Sequence, residues 1–175
     1  MSLPDTAHVG RGTFCCMKTH YLFADINQSS ALPCITEVHD GDTLWVSTDG
    51  GNVVDALAIF DVLSQRNVTT IATGACFSSG LIVLLAGKHR YATEHCRFLT
   101  HPVLSKGADR VQADLNETAL LQRMMVELIA NQTGMSTARV AGLLRPEQYF
   151  FGPSEAIEMG IVHGVYREKQ YVSPL

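Results

Sequence analysis

Two glycine-bearing turns constrain this chain more than any other feature. Each follows a short β-forming run and opens an apolar helical segment. The first is Ser47-Thr-Asp-Gly50-Gly51, after Thr43-Leu-Trp-Val. The second is Gly74-Ala-Cys-Phe-Ser78-Ser79-Gly80, after the β-branched run Val68–Thr73. A short β-branched run closed by glycine reads as a buried strand. An apolar stretch closed by glycine, as Ser78–Ala86 is by Gly87, reads as a buried helix. Alternation of the two along a chain predicts an α/β fold with at least part of its sheet parallel.

The same reading covers the rest of the chain. Residues 1–12 are polar and glycine-containing and are expected to form a loose arm, with residues 13–175 as a single domain. Thr13–Ala24 reads as one or two strands, and Ser29–Val38 as a helix with Pro33 near its first turn. Asn52–Gln65 is a helix whose Val53, Val54, Leu57, Ala58, Ile59, Val62 and Leu63 spread around much of its surface, predicting burial on more than one side. Val68–Thr73 is expected to end at Gly74. Tyr91–Thr93 and Cys96–Thr100 are short strands, and Ser105–Ala108 is a flexible patch. Asp109–Gln132 is a long helix with Leu121, Met124, Met125 and Leu128 at i, i+3, i+4 and i+7, a stripe that suits either the core or a neighbour's helix. Thr137–Leu144 is a short helix. Gly152–Gly160, with proline at its first turn and glycine past its end, is another. Ile161–Tyr166 is a last strand.

Composition narrows the function classes. With 175 residues the chain holds one domain. Apolar residues at 46% and charged residues at 17% are enough for a sizeable core. A net charge of −4 and no Lys/Arg cluster give no footprint for nucleic acid or an anionic membrane. No apolar run reaches the ~18 residues that span a bilayer. Five cysteines, at 15, 16, 34, 76 and 96, are odd in number and lack CxxC spacing, so neither a fully paired disulfide framework nor a cysteine-built zinc site is expected. With no basic start followed by an apolar stretch at the N-terminus, the expected setting is the cytoplasm. On that expectation the Asn-x-Ser/Thr triplets at Asn27, Asn67, Asn116 and Asn131 are chance. No metal and no cofactor is expected.

Helix N-termini expose unpaired backbone N–H groups, so two of them converging on one point would hold an oxyanion. Ser78 and Ser79 sit at the mouth of the second turn. Either could be a helix cap or a nucleophile beside the oxyanion donors. Cys76 excludes the G-x-S-x-G elbow of the α/β-hydrolases and reads as a small packed residue. A serine nucleophile needs a base, and of the seven histidines His101 stands out. It ends the strand Arg97-Phe-Leu-Thr and precedes Pro102, a position from which a polar ring can project into a cleft. His39, His89 and His95 lie in polar turns, and His20 and His163 have no partner nameable from sequence.

The ordered set Asp49-Gly50-Gly51, Gly74…Ser78-Ser79-Gly80 and Thr100-His101-Pro102 resembles the proteolytic subunit of the Clp protease, a serine peptidase of the Clp/crotonase fold. Ala58-Ile-Phe-Asp61, Leu85-Ala86-Gly87, Thr133-Gly134 and Ser154–Gly160 extend the resemblance over residues 43–166. It implies an α/β fold of repeated ββα units forming a superhelical core, with a long protruding helix. It implies Ser78 as nucleophile, His101 as base, and the backbone N–H groups of Gly51 and Ser79 as oxyanion hole. The substrate it implies is a peptide or unfolded protein, cleaved through an acyl-enzyme in a compartment built as a homo-oligomer.

The chain also departs from the family. Anchoring on Thr133-Gly134 puts the third member of the triad at Glu147, whereas anchoring on Ser154-Glu-Ala puts it at Gln148. Glu147 is favoured because only a carboxylate stabilises the imidazolium by charge. Ser79 stands where the family usually has Met. The stretch from His101 to the long helix is shorter and poorer in glycine. The N-terminal segment shows no counterpart of the family's axial loops and first helix, so an ATP-driven unfoldase partner is not supported from that end. Two other readings stay open. One is an inactive member or ring subunit; the other is a crotonase-type acyl-CoA enzyme, which shares the fold but needs no Ser/His pair.

Overall fold

The structure is a computed structural model that describes residues 17–104, 112–145 and 147–167. The expected arm over 1–12, the Ser105–Ala108 patch and the first residues of the expected long helix lie outside them. The elements run β1 (Thr19–Leu22), α1 (Gln28–Glu37), β2 (Thr43–Thr48), α2 (Val53–Leu63), β3 (Thr69–Phe77), α3 (Gly80–Leu85), β4 (His89–Ala92), β5 (Arg97–Thr100), α4 (Gln112–Thr133), α5 (Thr137–Leu143), β6 (Tyr149–Phe151), α6 (Pro153–Glu158) and β7 (Gly164–Val165).

The strands form one sheet in the order β1-β2-β3-β4-β7, all parallel, with β5 parallel to β3 and β6 antiparallel to β5. Because β3 runs on through Gly74 to Phe77, the expected end of that strand at Gly74 is wrong. At Gly74 the chain changes partner: Thr69–Ala72 pair with β4, and Ala75–Phe77 pair with β5. One long strand therefore does the work of two, so β3 and α3 make a ββα unit. The β-branched run stops at Gly74, but the ladder does not, because tertiary pairing with β5 continues it. The strand β6 had no signal in the sequence; three residues are too few to show a period of two.

The core lies between the sheet and its helices. Leu44 and Val46 of β2 and Thr70 and Ala72 of β3 share the face towards α3, where the Thr70 hydroxyl donates to the Leu84 carbonyl, and all six residues of α3 are buried. A helix apolar on every side belongs in the interior, as expected for this segment. Asn27 caps α1, accepting from the Ser29 and Ser30 N–H groups. Pro33 lies inside that helix. Helix α2 corrects the expectation of burial on more than one side. Ala56, Ile59 and Leu63 are buried, but Val54 is half exposed and Ala58 is exposed. Only its face towards α1 and α3 is covered. On α4, Met125 and Ile129 are in the core, whereas Met124 and Leu120 are exposed.

Two polar networks hold the frame. Arg90, 7% exposed, donates to the carbonyls of Gly87, Gln132, Gly160 and Ile161, joining the ends of α3, α4 and α6. Asp42, 2% exposed, accepts from the Lys18 and His39 N–H groups and from His20 Nε2 at 3.0 Å. Burial alone would raise the Asp42 pKa, but these bonds outweigh it and hold the carboxyl below its ordinary range. His20 thus has Asp42 as a partner, and His163 Nδ1 accepts from the Arg90 N–H.

Candidate active site

The site lies where β2, β3 and β5 end, on the side where the C-terminal ends of parallel strands leave a crevice. Ser78 follows β3 directly and is the sole non-glycine with positive φ, +53°, among the described residues. Its N–H donates to the Leu99 carbonyl at 2.8 Å, which fixes the turn against β5, the strand that His101 follows. Holding serine in this sparsely populated conformation costs about 1–3 kcal/mol, and such strain persists where the surroundings over-determine it. Ser79, not Ser78, occupies the N-cap position of α3, and its hydroxyl does not cap the helix. That hydroxyl is wholly buried and donates to the Gly51 carbonyl at 3.2 Å, linking the two turns.

The first turn must be glycine for steric reasons. A side chain at Gly50, φ +104°, would put its Cβ 2.8 Å from the Ser78 Cβ. At Gly51, φ +143°, a Cβ would overlap the backbone of Ile26. The chain forms a parallel bridge there, in which Ile26 N–H donates to the Gly50 carbonyl and Asn52 N–H to the Ile26 carbonyl. The bridge uses Gly51's neighbours and leaves its own N–H free. Neither the Gly51 N–H nor the Ser79 N–H has a hydrogen-bond partner among the described residues. Unpaired N–H groups on the two turns flanking a serine are what an oxyanion requires.

Ser78, Gly51 and His101 line one cleft of about 670 Å³. Its other walls are Asp49, Asn52–Val54, Pro102–Leu104 and one face of α4, with Asp114, Glu117, Thr118, Leu121 and Met125. Spacings of three and four put those α4 residues on one stripe. The sequence reading set its stripe at Leu121–Leu128 and missed the polar upper half, although the same periodicity marks it. No hydrogen bond joins Ser78 to His101 among the described residues. Catalytic hydrogen bonds of this kind are often long without substrate. His101 Nδ1 is instead 2.6 Å from the Pro102 carbonyl. Glu147 and Gln148 are both exposed, do not line the cleft, and make no hydrogen bond to His101 among the described residues. Cys76 is fully buried beneath the turn, and burial holds its thiol well above the ordinary range, so it is packed as a neutral side chain.

A mixed α/β fold carrying a strained serine, two free backbone donors and a histidine on one cleft defines the class of an acyl-transfer site. The comparisons agree with that class. The sequence profile of the Clp protease family matches residues 35–169. The ATP-dependent Clp protease proteolytic subunit 2 of Treponema pallidum is 32% identical over 133 residues, covering 72% of this chain and 66% of that protein. Proteolytic subunit 1 of Prochlorococcus marinus is 29% identical over 135 residues, covering 72% and 67%. The chain thus spans about two thirds of the length of these curated relatives. A mutant of ClpP1 from Listeria monocytogenes superposes with a TM-score of 0.75 at 22% identity, over 86% of this chain and 92% of that one. The chain belongs to the Clp protease family, whose proteolytic subunits are serine-type peptidases, and has the Clp/crotonase-like fold.

Proposed function

We propose that this chain is a serine endopeptidase that hydrolyses peptides or unfolded proteins through an acyl-enzyme. The observation that supports it is the conformation of Ser78, held at positive φ between two unpartnered N–H groups on the cleft that His101 also lines. In the mechanism, Ser78 Oγ attacks the scissile carbonyl and its proton passes to His101 Nε2. The Gly51 and Ser79 N–H groups hold the resulting oxyanion. His101 then gives the proton to the leaving amine, and water, activated by the same ring, releases the acyl group and restores Ser78.

The relatives are named proteolytic subunits of an ATP-dependent protease, and we extend a subunit's role to this chain. It would work as a homo-oligomer in the cytoplasm, with unfolded chains as substrate. The exposed apolar residues Leu115, Leu120 and Met124 of α4 support a helix-to-helix contact between copies. A second reading, an inactive ring subunit, is favoured by the exposure of Glu147 and Gln148, neither of which lines the cleft. Fluorogenic peptide and casein hydrolysis by the sized oligomer decides between them. Turnover that Ser78→Ala abolishes supports the peptidase. No turnover from a folded oligomer supports the inactive subunit.

A further inference from the structure

His101 has a partner on Nδ1 that is not an acid, and that partner is itself held in place. A carbonyl oxygen can only accept, so the 2.6 Å contact between Nδ1 and the Pro102 carbonyl puts the proton on Nδ1. The neutral ring then presents an unprotonated Nε2, the form a general base needs. The carbonyl belongs to the 102–103 peptide unit. The other pole of that unit, the Val103 N–H, donates to Gln122 Oε1 on α4 at 2.8 Å. The acceptor must be Oε1, because the amide nitrogen of glutamine only donates. Since a peptide unit is planar, fixing its N–H fixes the direction of its carbonyl.

We propose that Gln122 is a positioning residue: through the Val103 N–H it aims the Pro102 carbonyl at His101 Nδ1, and this main-chain carbonyl takes the orienting place of a triad acid. The inference rests on the peptidase reading above. It assigns the tautomer of His101 to α4 rather than to the Glu147–Gln148 loop. A carbonyl dipole orients the ring but stabilises the imidazolium less than a carboxylate does, so the site would be a serine–histidine pair with a neutral orienter.

The test compares Gln122→Leu, which removes the acceptor, with Gln122→Glu, which keeps it. Protein labelled with ¹⁵N-histidine reports the His101 tautomer, with His101→Ala assigning the resonance. The folded oligomer is checked by its melting temperature. The wild type is expected to hold the Nδ1–H form. Gln122→Leu is expected to mix the tautomers and lower kcat about 10- to 100-fold at unchanged KM, the size of loss seen when the hydrogen-bond partner that orients a metal-bound imidazole is removed. Gln122→Glu is expected to keep both tautomer and rate. An Nε2–H wild-type ring, or a Gln122→Leu variant with unaltered tautomer and kcat, overturns the proposal. If Ser78→Ala leaves turnover intact, the peptidase reading itself has failed. The tautomer result then still judges the Gln122 contact on its own.

Discussion

The two halves of the cleft are built by different means. The oxyanion half, Asp49–Asn52 with Phe77–Gly80, is set by backbone: positive φ at Gly50, Gly51 and Ser78, a bridge to Ile26, and a buried hydroxyl tying the turns together. The base half, Thr100–Leu104, is tied to other elements through side chains, with the Thr100 hydroxyl donating to the Leu143 carbonyl and Gln122 Oε1 accepting from the Val103 N–H. The first half permits almost no substitution, and its distant partners, Ile26 and Leu99, act through their main chain alone. The second tolerates change in sequence, because any residue supplies a carbonyl, yet it depends on where α4 lies.

That contrast can be broken or sharpened by substitution. Ser78→Gly should show the largest effect. Hydrolysis falls about 10⁶-fold with the nucleophile gone. The melting temperature rises by a few degrees, because glycine relieves strain of about 1 kcal/mol at that φ. A lower melting temperature would mean that the conformation is not strained. Next comes Gly51→Ala, whose Cβ has no room against Ile26. We expect kcat to fall about 10²–10³-fold as one oxyanion donor is displaced. Calorimetry should also show a loss of about 1–3 kcal/mol.

A smaller effect is expected at Asp42, at the opposite end of β2 from the site. Its carboxyl binds a proton less tightly folded than unfolded, from an ordinary value of 3.8. Its stabilisation is therefore complete above that value and is lost as pH falls below it. Melting temperature against pH should drop less steeply for Asp42→Asn than for the wild type below about pH 4. Equal slopes would place the acid sensitivity elsewhere. The smallest effect belongs to Glu147→Gln, for which we expect less than about a threefold change in kcat/KM, since the residue is exposed and off the cleft. A 10³-fold loss would return the orienting role to that carboxylate and dissolve the difference between the halves.

The legibility of the sequence follows the same division. The glycines and serines of the two turns announce themselves, because backbone conformations that exclude a Cβ leave a residue signature. The buried helix Gly80–Leu85 is equally plain from composition. Gln122 and the Pro102 carbonyl leave none. A glutamine 21 positions after His101 has no spacing that marks it, and a carbonyl is common to every residue. The strand β6 and the run of β3 past Gly74 were hidden for a related reason, since pairing with β5 defines both. The resemblance places the third triad member at Glu147 or Gln148, two exposed positions, whereas the acceptor beside the ring in the structure is the Pro102 carbonyl.

The most direct test of the account is covalent labelling of the purified protein by a fluorophosphonate, mapped by mass spectrometry, with His101→Ala and Ser78→Ala alongside. The account predicts one adduct, on Ser78, absent in Ser78→Ala and formed at least 10³-fold more slowly in His101→Ala. A folded wild-type protein that stays unlabelled, or that carries its adduct on another serine, would contradict the claim that these turns and this histidine form an activated serine site.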